Sequence, residues 1–355
     1  MGLNMQAVVL HGKGDLRLEA VSVPLAGPGE VLLRVGAALT CGTDLKVYRR
    51  GYHAKMLIPP TLFGHEVAGT VVSVGEGVST FRTGDRVVAL NSAPCGQCLF
   101  CKRNQPNLCS DLLFNNGAYA EFIRIPARIV EKNTLLVADS VPFQHAALTE
   151  PLACVVHGFD ETGARRGDTV VVIGAGPIGL MFLRVAQIAG CRVIAVVKRE
   201  DQIVSARRFG ADEVVRIGEG VDAVAEIRAL TEQGEGADVV VECVATPETW
   251  EQAVDMVRKG GVVNLFGGPP GGTRASFDTN RLHYGNITLK ASFHHTPATC
   301  RRAFDLVTSG QVQAEDFITA TCALSDVPEV FQRMMVRSST GTLDIKTAVL
   351  PLESA

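Results

Sequence analysis

From residue 169 onward the chain repeats one pattern: a short run that is apolar at nearly every position, then a helical stretch, then another run. The runs read "TVVVIGAG", "RVIAVV", "DEVVRI", "ADVVVECV" and "GGVVNLFGG". Stretches such as "PIGLMFLRVAQIAG" and "DAVAEIRALTEQG", with helical periodicity, lie between them. A strand that is hydrophobic on both faces must be covered on both. Helices alternating with the strands supply that cover when the strands run parallel. The pattern therefore predicts an α/β fold with a doubly wound parallel sheet.

The first 150 residues read differently. "GEVLLRVGAAL", "VAGTVVSVGEGVSTFRTGDRVVAL" and "AYAEFIRIP" are β-branched runs punctuated by Gly and Pro. Short strands with turn signals between them predict a barrel-like all-β unit. After about residue 290 the alternation stops, and the β-like run in "GTLDIKTAVLP" is expected to rejoin the first unit. A length of 355 residues also exceeds one ordinary core and suggests two domains.

Composition narrows the function classes. Hydrophobic residues make up 46% and charged residues 20%, which are globular values. The net charge is −3 with no block of like charge, so nothing favours nucleic acid or an anionic membrane surface as a partner. The first twenty residues lack a signal-peptide core, and the most apolar long segment is interrupted by a glycine cluster, Pro177 and Arg184. A cytoplasmic protein is expected. In that reducing compartment ten cysteines point to metal or thiol chemistry rather than disulfides.

Within the parallel-sheet half, "VVVIGAGPIG" places Gly174, Gly176 and Gly179 directly after a strand and at the opening of a helix, with Pro177 and Ile178 in the turn. The glycines suit a tight turn, close approach of a pyrophosphate, and helix-on-strand packing. The helix amino terminus then favours the phosphates. A dinucleotide site is the reading, with Val244 and Phe266 counted among its contacts. At the end of the second strand, where an acidic residue would hold the adenosine ribose hydroxyls, the chain reads "VIAVVKRED". Lys198 and Arg199 could pair with a 2′-phosphate, which favours NADP; Glu200 turning in would favour NAD instead.

Three separated pieces, "CGTD" at Cys41, "GHE" ending at Glu66 and "TEPLACVVHG" starting at Thr149, accompany a fourth, "PCGQCLFCKRNQPNLC". A catalytic zinc takes N, S and O ligands from distant segments and keeps a position open, whereas four thiolates close a structural site. In this order, with "GAGPIG", "PGEVLLRV" and "GDRVVAL", these pieces resemble the zinc-dependent medium-chain dehydrogenases over nearly the whole chain. The resemblance implies a GroES-like β-barrel catalytic domain, residues 1–151 and 294–355, with a structural zinc lobe at about 91–112. It implies a Rossmann domain at 152–293. Cys41 and His65 match the catalytic zinc ligands, and Glu66 and Glu150 the carboxylates that bind the metal or its water. Cys95, Cys98, Cys101 and Cys109 match the structural zinc lobe. Glu150 followed by Pro151 is similar to the sorbitol (polyol) dehydrogenase branch.

The resemblance further implies that Thr43 passes the proton away from the alcohol, a task for a group that both donates and accepts. Lys46 stands near where the family often has a relay His, and Asp44 is expected to orient the zinc site from behind. Tyr48, Arg50 and His53 read either as hydroxyl-reading groups or as a surface loop. His157 reads as packing, and His294 and His295 as candidates to line a cleft. Cys154, Cys191, Cys243, Cys300 and Cys322 have no ligand spacing and read as buried small residues. The expected activity is oxidation of a secondary alcohol of a polyol, sugar or cyclitol to its ketone, or the reverse. The alternatives are a threonine-like or simple alcohol substrate, or an NADP-binding member without turnover. A homo-oligomer is expected by resemblance.

Overall fold

The computed structural model describes residues 3–52, 56–340 and 344–351. His53 lies outside the described residues. The chain divides into two compact units, one of residues 1–153 with 296–355, the other of residues 154–295.

The first unit is built on a seven-stranded sheet. Its order is Thr134–Leu136, Arg86–Ala89, Glu66–Val74, Val31–Leu39, Lys346–Leu350, Ile318–Ala323, with Phe122–Ile125 also paired to Val31–Leu39. The late strand Lys346–Leu350 thus lies beside an early one, with Ala348 opposite Leu39. Val31–Leu39 is buried at nearly every position because both its faces are covered. The sheet packs a ring cluster: Phe63, Tyr119 and Phe331 are fully buried, with centroids 5.6–6.0 Å apart, and Tyr48 joins through Phe331 at 5.8 Å.

Tyr48 belongs to the helix Gly42–Arg50, whose inward positions are Asp44, Val47 and Tyr48. The ring is core packing, so neither the hydroxyl-reading role nor the surface loop applies to it. Arg50 ends the same helix, exposed, where a cation suits the dipole. The chain leaves through Gly51 at φ 88°, a left-handed conformation open to glycine.

The second unit is a six-stranded parallel sheet in the order Glu213–Arg216, Arg192–Val197, Thr169–Ile173, Ala237–Glu242, Val257–Leu265, Thr288–Ala291. This is the Rossmann order, with the first strand in the middle and the switch point between Thr169–Ile173 and Ala237–Glu242. The inner strands are buried throughout, as their unbroken apolar runs require. Among the described residues no helix is long and apolar enough to cross a membrane.

Phe331→Ala would leave a cavity amid three rings, and it is expected to lower stability by about 3–5 kcal/mol. Denaturant titration reads the loss; a change below about 1 kcal/mol would show that the cluster adds little beyond the sheet.

Candidate metal and dinucleotide sites

Cys41 stands at the amino-terminal cap of the helix Gly42–Arg50, and its Sγ accepts the Thr43 N–H at 3.3 Å. Next to it the strand Glu66–Val74 begins, preceded by His65. Ligand atoms of Cys41, His65 and Glu66 all lie within 4.8 Å of one another. Two of the trio, His65 and Glu66, are each held by a buried partner.

Asp44 is buried and divides its two oxygens. Oδ1 meets His65 Nδ1 at 2.8 Å, and Oδ2 accepts the Tyr119 hydroxyl at 2.7 Å. With Nδ1–H given to Asp44, the other ring nitrogen of His65 faces the ligand cluster. Burial alone would lower the His65 pKa, but Asp44 and the Cys41 sulfur outweigh it and raise it well above the usual value.

Glu66 is fully buried, and both its oxygens accept from Lys346 Nζ, at 2.8 and 2.6 Å. The same ammonium donates to the Thr40 carbonyl at 2.8 Å. Burial pulls the Lys346 pKa down, yet the Glu66 carboxylate overcomes this and raises it. Burial raises the Glu66 carboxyl, and the charges of Lys346 and His65 oppose that rise. Sequence reasoning missed Lys346, because 280 positions separate it from Glu66 and a lone Lys in a strand carries no motif.

Glu150 opens the helix Thr149–Thr162 and is buried. Burial lifts its carboxyl to about 7, opposed by the charge of His65 and assisted by that of Glu66. It therefore stands in electrostatic reach of the trio, although its oxygens are not in the 4.8 Å cluster with them. Thr43 is half-buried on the first turn after Cys41. Lys46 is exposed on the same helix.

The donor set suits zinc: one sulfur from one segment, and an imidazole nitrogen and a carboxylate from adjacent residues of another, with the imidazole and carboxylate both held by outer partners. The second cluster suits it as a closed site. All ten cysteines are free thiols, and Sγ atoms of Cys95, Cys98, Cys101 and Cys109 lie within 4.8 Å of one another. Cys98 Sγ is 3.5 Å from Cys101 Sγ and 3.8 Å from Cys109 Sγ. A tetrahedron of Zn–S bonds of about 2.3 Å has edges of about 3.8 Å. Backbone donors prepare the cage. The N–H groups of Cys101 and Ser110 lower Cys98 to about 6, and the Cys95 N–H reaches Cys109 Sγ at 3.2 Å. Burial raises Cys101 to about 12, so that thiol gives up its proton last.

In the second unit Gly174 adopts φ 99°, Gly176 caps the helix Pro177–Ile188, and Pro177 takes its first position with Ile178 following. A Cβ on Gly179 would come within 1.8 Å of the Gly174 carbonyl oxygen, so only glycine closes this turn. Val244 follows the strand Ala237–Glu242 and packs against Gly174; Phe266 follows Val257–Leu265 and stacks edge-on against Phe182 at 4.9 Å. Lys198 and Arg199 begin the turn after Arg192–Val197. Gln202 accepts both their N–H groups through Oε1 and donates to the Ala175 carbonyl at 3.4 Å. One buried glutamine thereby ties the basic turn to the glycine turn, a link no motif signals.

Among the other residues singled out, His157 is buried and its pKa lowered by that burial, as packing requires. His294 takes φ 64° and its ring lies 4.0 Å from that of buried His295. Cys191 and Cys300 are buried, while Cys154, Cys243 and Cys322 are partly so.

Comparison with known proteins decides the family. The model of the alcohol dehydrogenase GroES-like domain matches residues 27–134, and that of the zinc-binding dehydrogenases matches residues 177–309. Sorbitol dehydrogenase of Bacillus subtilis is 30% identical over 339 residues, covering 94% of each chain. The chain belongs to the zinc-dependent medium-chain dehydrogenases. Erythritol/L-threitol dehydrogenase of Mycolicibacterium smegmatis is 34% identical over 98% of both chains. A zinc-binding dehydrogenase of Sinorhizobium meliloti bound to NADP superposes with a TM-score of 0.88 at 29% identity, covering 98% of this chain and 100% of that one. As a medium-chain dehydrogenase of the sorbitol-like branch, the protein is an oxidoreductase with a GroES-like and a Rossmann part.

Two variants probe the two clusters of this dehydrogenase. Lys346→Met leaves Glu66 buried without its counter-charge, and a loss of about 3–5 kcal/mol is expected in denaturant titration. Unchanged stability would mean that Glu66 is held by something other than Lys346. Cys98→Ser is expected to lower the melting temperature and to reduce zinc from two ions per chain to one. Folded protein with no zinc at all would show that the clusters are not independent.

Proposed function

We propose that this chain interconverts a secondary alcohol of a polyol, sugar or cyclitol-like molecule with its ketone, using NADP in preference to NAD. The observation that carries the proposal is the oxygen-rich donor set: Cys41, His65 and Glu66 together, with Glu150 in range where simple alcohol dehydrogenases resemble one another in having cysteine. The unit of residues 1–153 with 296–355 is read as catalytic and the unit of residues 154–295 as cofactor-binding. The sorbitol and erythritol/L-threitol dehydrogenases among the relatives support the substrate class. The NADP-bound structural neighbour and the basic turn at Lys198 support the cofactor.

In this reading Cys41, His65 and Glu66 hold the catalytic zinc with Glu150 beside it, and the four lobe cysteines hold the structural one. When bound, zinc would supply Lewis-acid polarisation of the substrate oxygen, and the nicotinamide would supply the hydride chemistry. The chain's own residues do the rest. Asp44 fixes the His65 tautomer, and Lys346 favours the ionised form of Glu66 against its burial. The Thr43 hydroxyl, two residues past Cys41, takes the alcohol proton and passes its own onward. The free thiols support a reducing cytoplasmic setting. The exposed strand Thr288–Ala291, last in its sheet order, supports association of like chains.

The test is initial rates of cofactor reduction across polyols, cyclitols, simple alcohols and threonine, with each cofactor, on protein carrying two zincs. Turnover of a polyol or cyclitol with NADP is expected. Turnover of threonine alone would overturn the substrate class, and silence across the panel would overturn the activity. Lys198→Ala with Arg199→Ala is expected to weaken NADP binding by about a hundredfold, which is about 2.7 kcal/mol, and NAD binding far less. Equal losses would overturn the cofactor preference.

A further inference from the structure

The corner that follows the strand Arg192–Val197 holds more charge than "VVKRED" displays. In the parallel register Val197 stands opposite Arg216, the last residue of the neighbouring strand Glu213–Arg216. Arg216 is thereby brought beside the turn that Lys198 and Arg199 begin. Nothing in the sequence marks it, since seventeen residues and a helix intervene.

The three cations differ in what they already hold. The Lys198 ammonium is exposed, with no ion-pair partner among the described residues. The Arg199 guanidinium grips Asp201 with two bonds, Nε to Oδ1 at 3.0 Å and Nη2 to Oδ2 at 3.3 Å. Arg216 Nε meets Glu200 Oε2 at 3.1 Å, with the two side chains 52% and 78% exposed. The Arg199 pair is a local fork within one turn. The Arg216 pair joins two strands' ends through water-exposed groups, and such pairs are weak. A phosphate dianion offers arginine a stronger, two-pronged partner.

We propose that Arg216 is a cation of the 2′-phosphate site and that Glu200 competes with the phosphate for it. This rests on the reading that the protein prefers NADP. With the corner empty, Glu200 occupies the Arg216 guanidinium. A 2′-phosphate between Lys198 and Arg216 takes that place, and the Glu200 carboxylate turns to water, where its exposure leaves it well solvated. A dinucleotide with a free 2′-hydroxyl offers Arg216 nothing better than Glu200, so its binding does not depend on either residue. Gln202 matters here too, because it holds the backbone of Lys198 and Arg199 while the side chains exchange partners.

The opposite signs of two variants separate this from a structural role. If the Glu200–Arg216 pair only braced the fold, Arg216→Ala and Glu200→Gln would weaken nucleotide binding alike. The proposal expects them to diverge. By titration calorimetry with 2′-AMP, 5′-AMP, NADP and NAD, Arg216→Ala is expected to weaken 2′-AMP and NADP about tenfold, and to leave 5′-AMP and NAD within about twofold. Glu200→Gln, which removes the competitor, is expected to tighten 2′-AMP and NADP about threefold. Arg216→Ala with unchanged 2′-AMP affinity, in a protein whose wild type prefers 2′-AMP to 5′-AMP, overturns the assignment of Arg216 alone. A weaker 2′-AMP affinity in Glu200→Gln overturns the competition. A wild type with no preference for 2′-AMP overturns the NADP reading, and this inference with it.

Discussion

Lys346 and Glu66 meet at 2.6 Å with neither side chain reaching water to any useful extent. Removing an ammonium and a carboxylate from water costs several kcal/mol each, so neither would be found there alone. Together, with the Thr40 carbonyl as a third partner, they form a buried charged group that the β unit must close around. The arrangement fixes more than stability. It sets a positive charge against the Glu66 carboxylate next to Cys41 and His65, opposing the rise that burial imposes on that carboxyl. The parallel chain of bonds from Tyr119 through Asp44 to His65 orients the imidazole, and the Asp44 charge also raises its pKa. Both supports rise from the ring-packed core, so packing below the site and chemistry above it are one construction.

The nucleotide half follows a different logic. Its glycine turn is defined by backbone sterics, since Gly179 approaches the Gly174 carbonyl too closely for any side chain. The corner beyond Arg192–Val197 is built of exposed charged side chains whose partners can change. A sterically defined glycine turn thus stands beside a corner of exposed charged side chains.

Much of this was legible in the sequence where the relevant residues lie close together. The glycine turn, the alternation of strands and helices, and the four lobe cysteines are local patterns, and each corresponds to a local structure. Long-range partners were not legible. Lys346 sits in "TLDIKTAVLP" as an ordinary strand residue, and only the pairing of Lys346–Leu350 with Val31–Leu39 carries its stem beneath the metal trio. Gln202 and Arg216 were silent for the same reason, because their roles depend on the register of neighbouring strands and turns. Tyr48 shows the opposite error. Its position soon after the metal cysteine suggested a substrate contact, but one turn along an amphipathic helix from buried Asp44 points a side chain into the core.

The pairing of a late strand with an early one also bears on how the protein is made. Cys95 to Cys109 emerge from the ribosome within one short run, so the cysteine lobe has all its ligands as soon as it is synthesised. The trio of Cys41, His65 and Glu66 is older in the chain, yet its counter-charge arrives 280 residues after Glu66. Until then Glu66 has no partner that would let it be buried. Synthesis proceeds at about 5–20 residues per second, so that interval lasts on the order of 14–56 seconds. Over that time the buried ion pair of Glu66 cannot form, whereas the four lobe cysteines are already together in the chain.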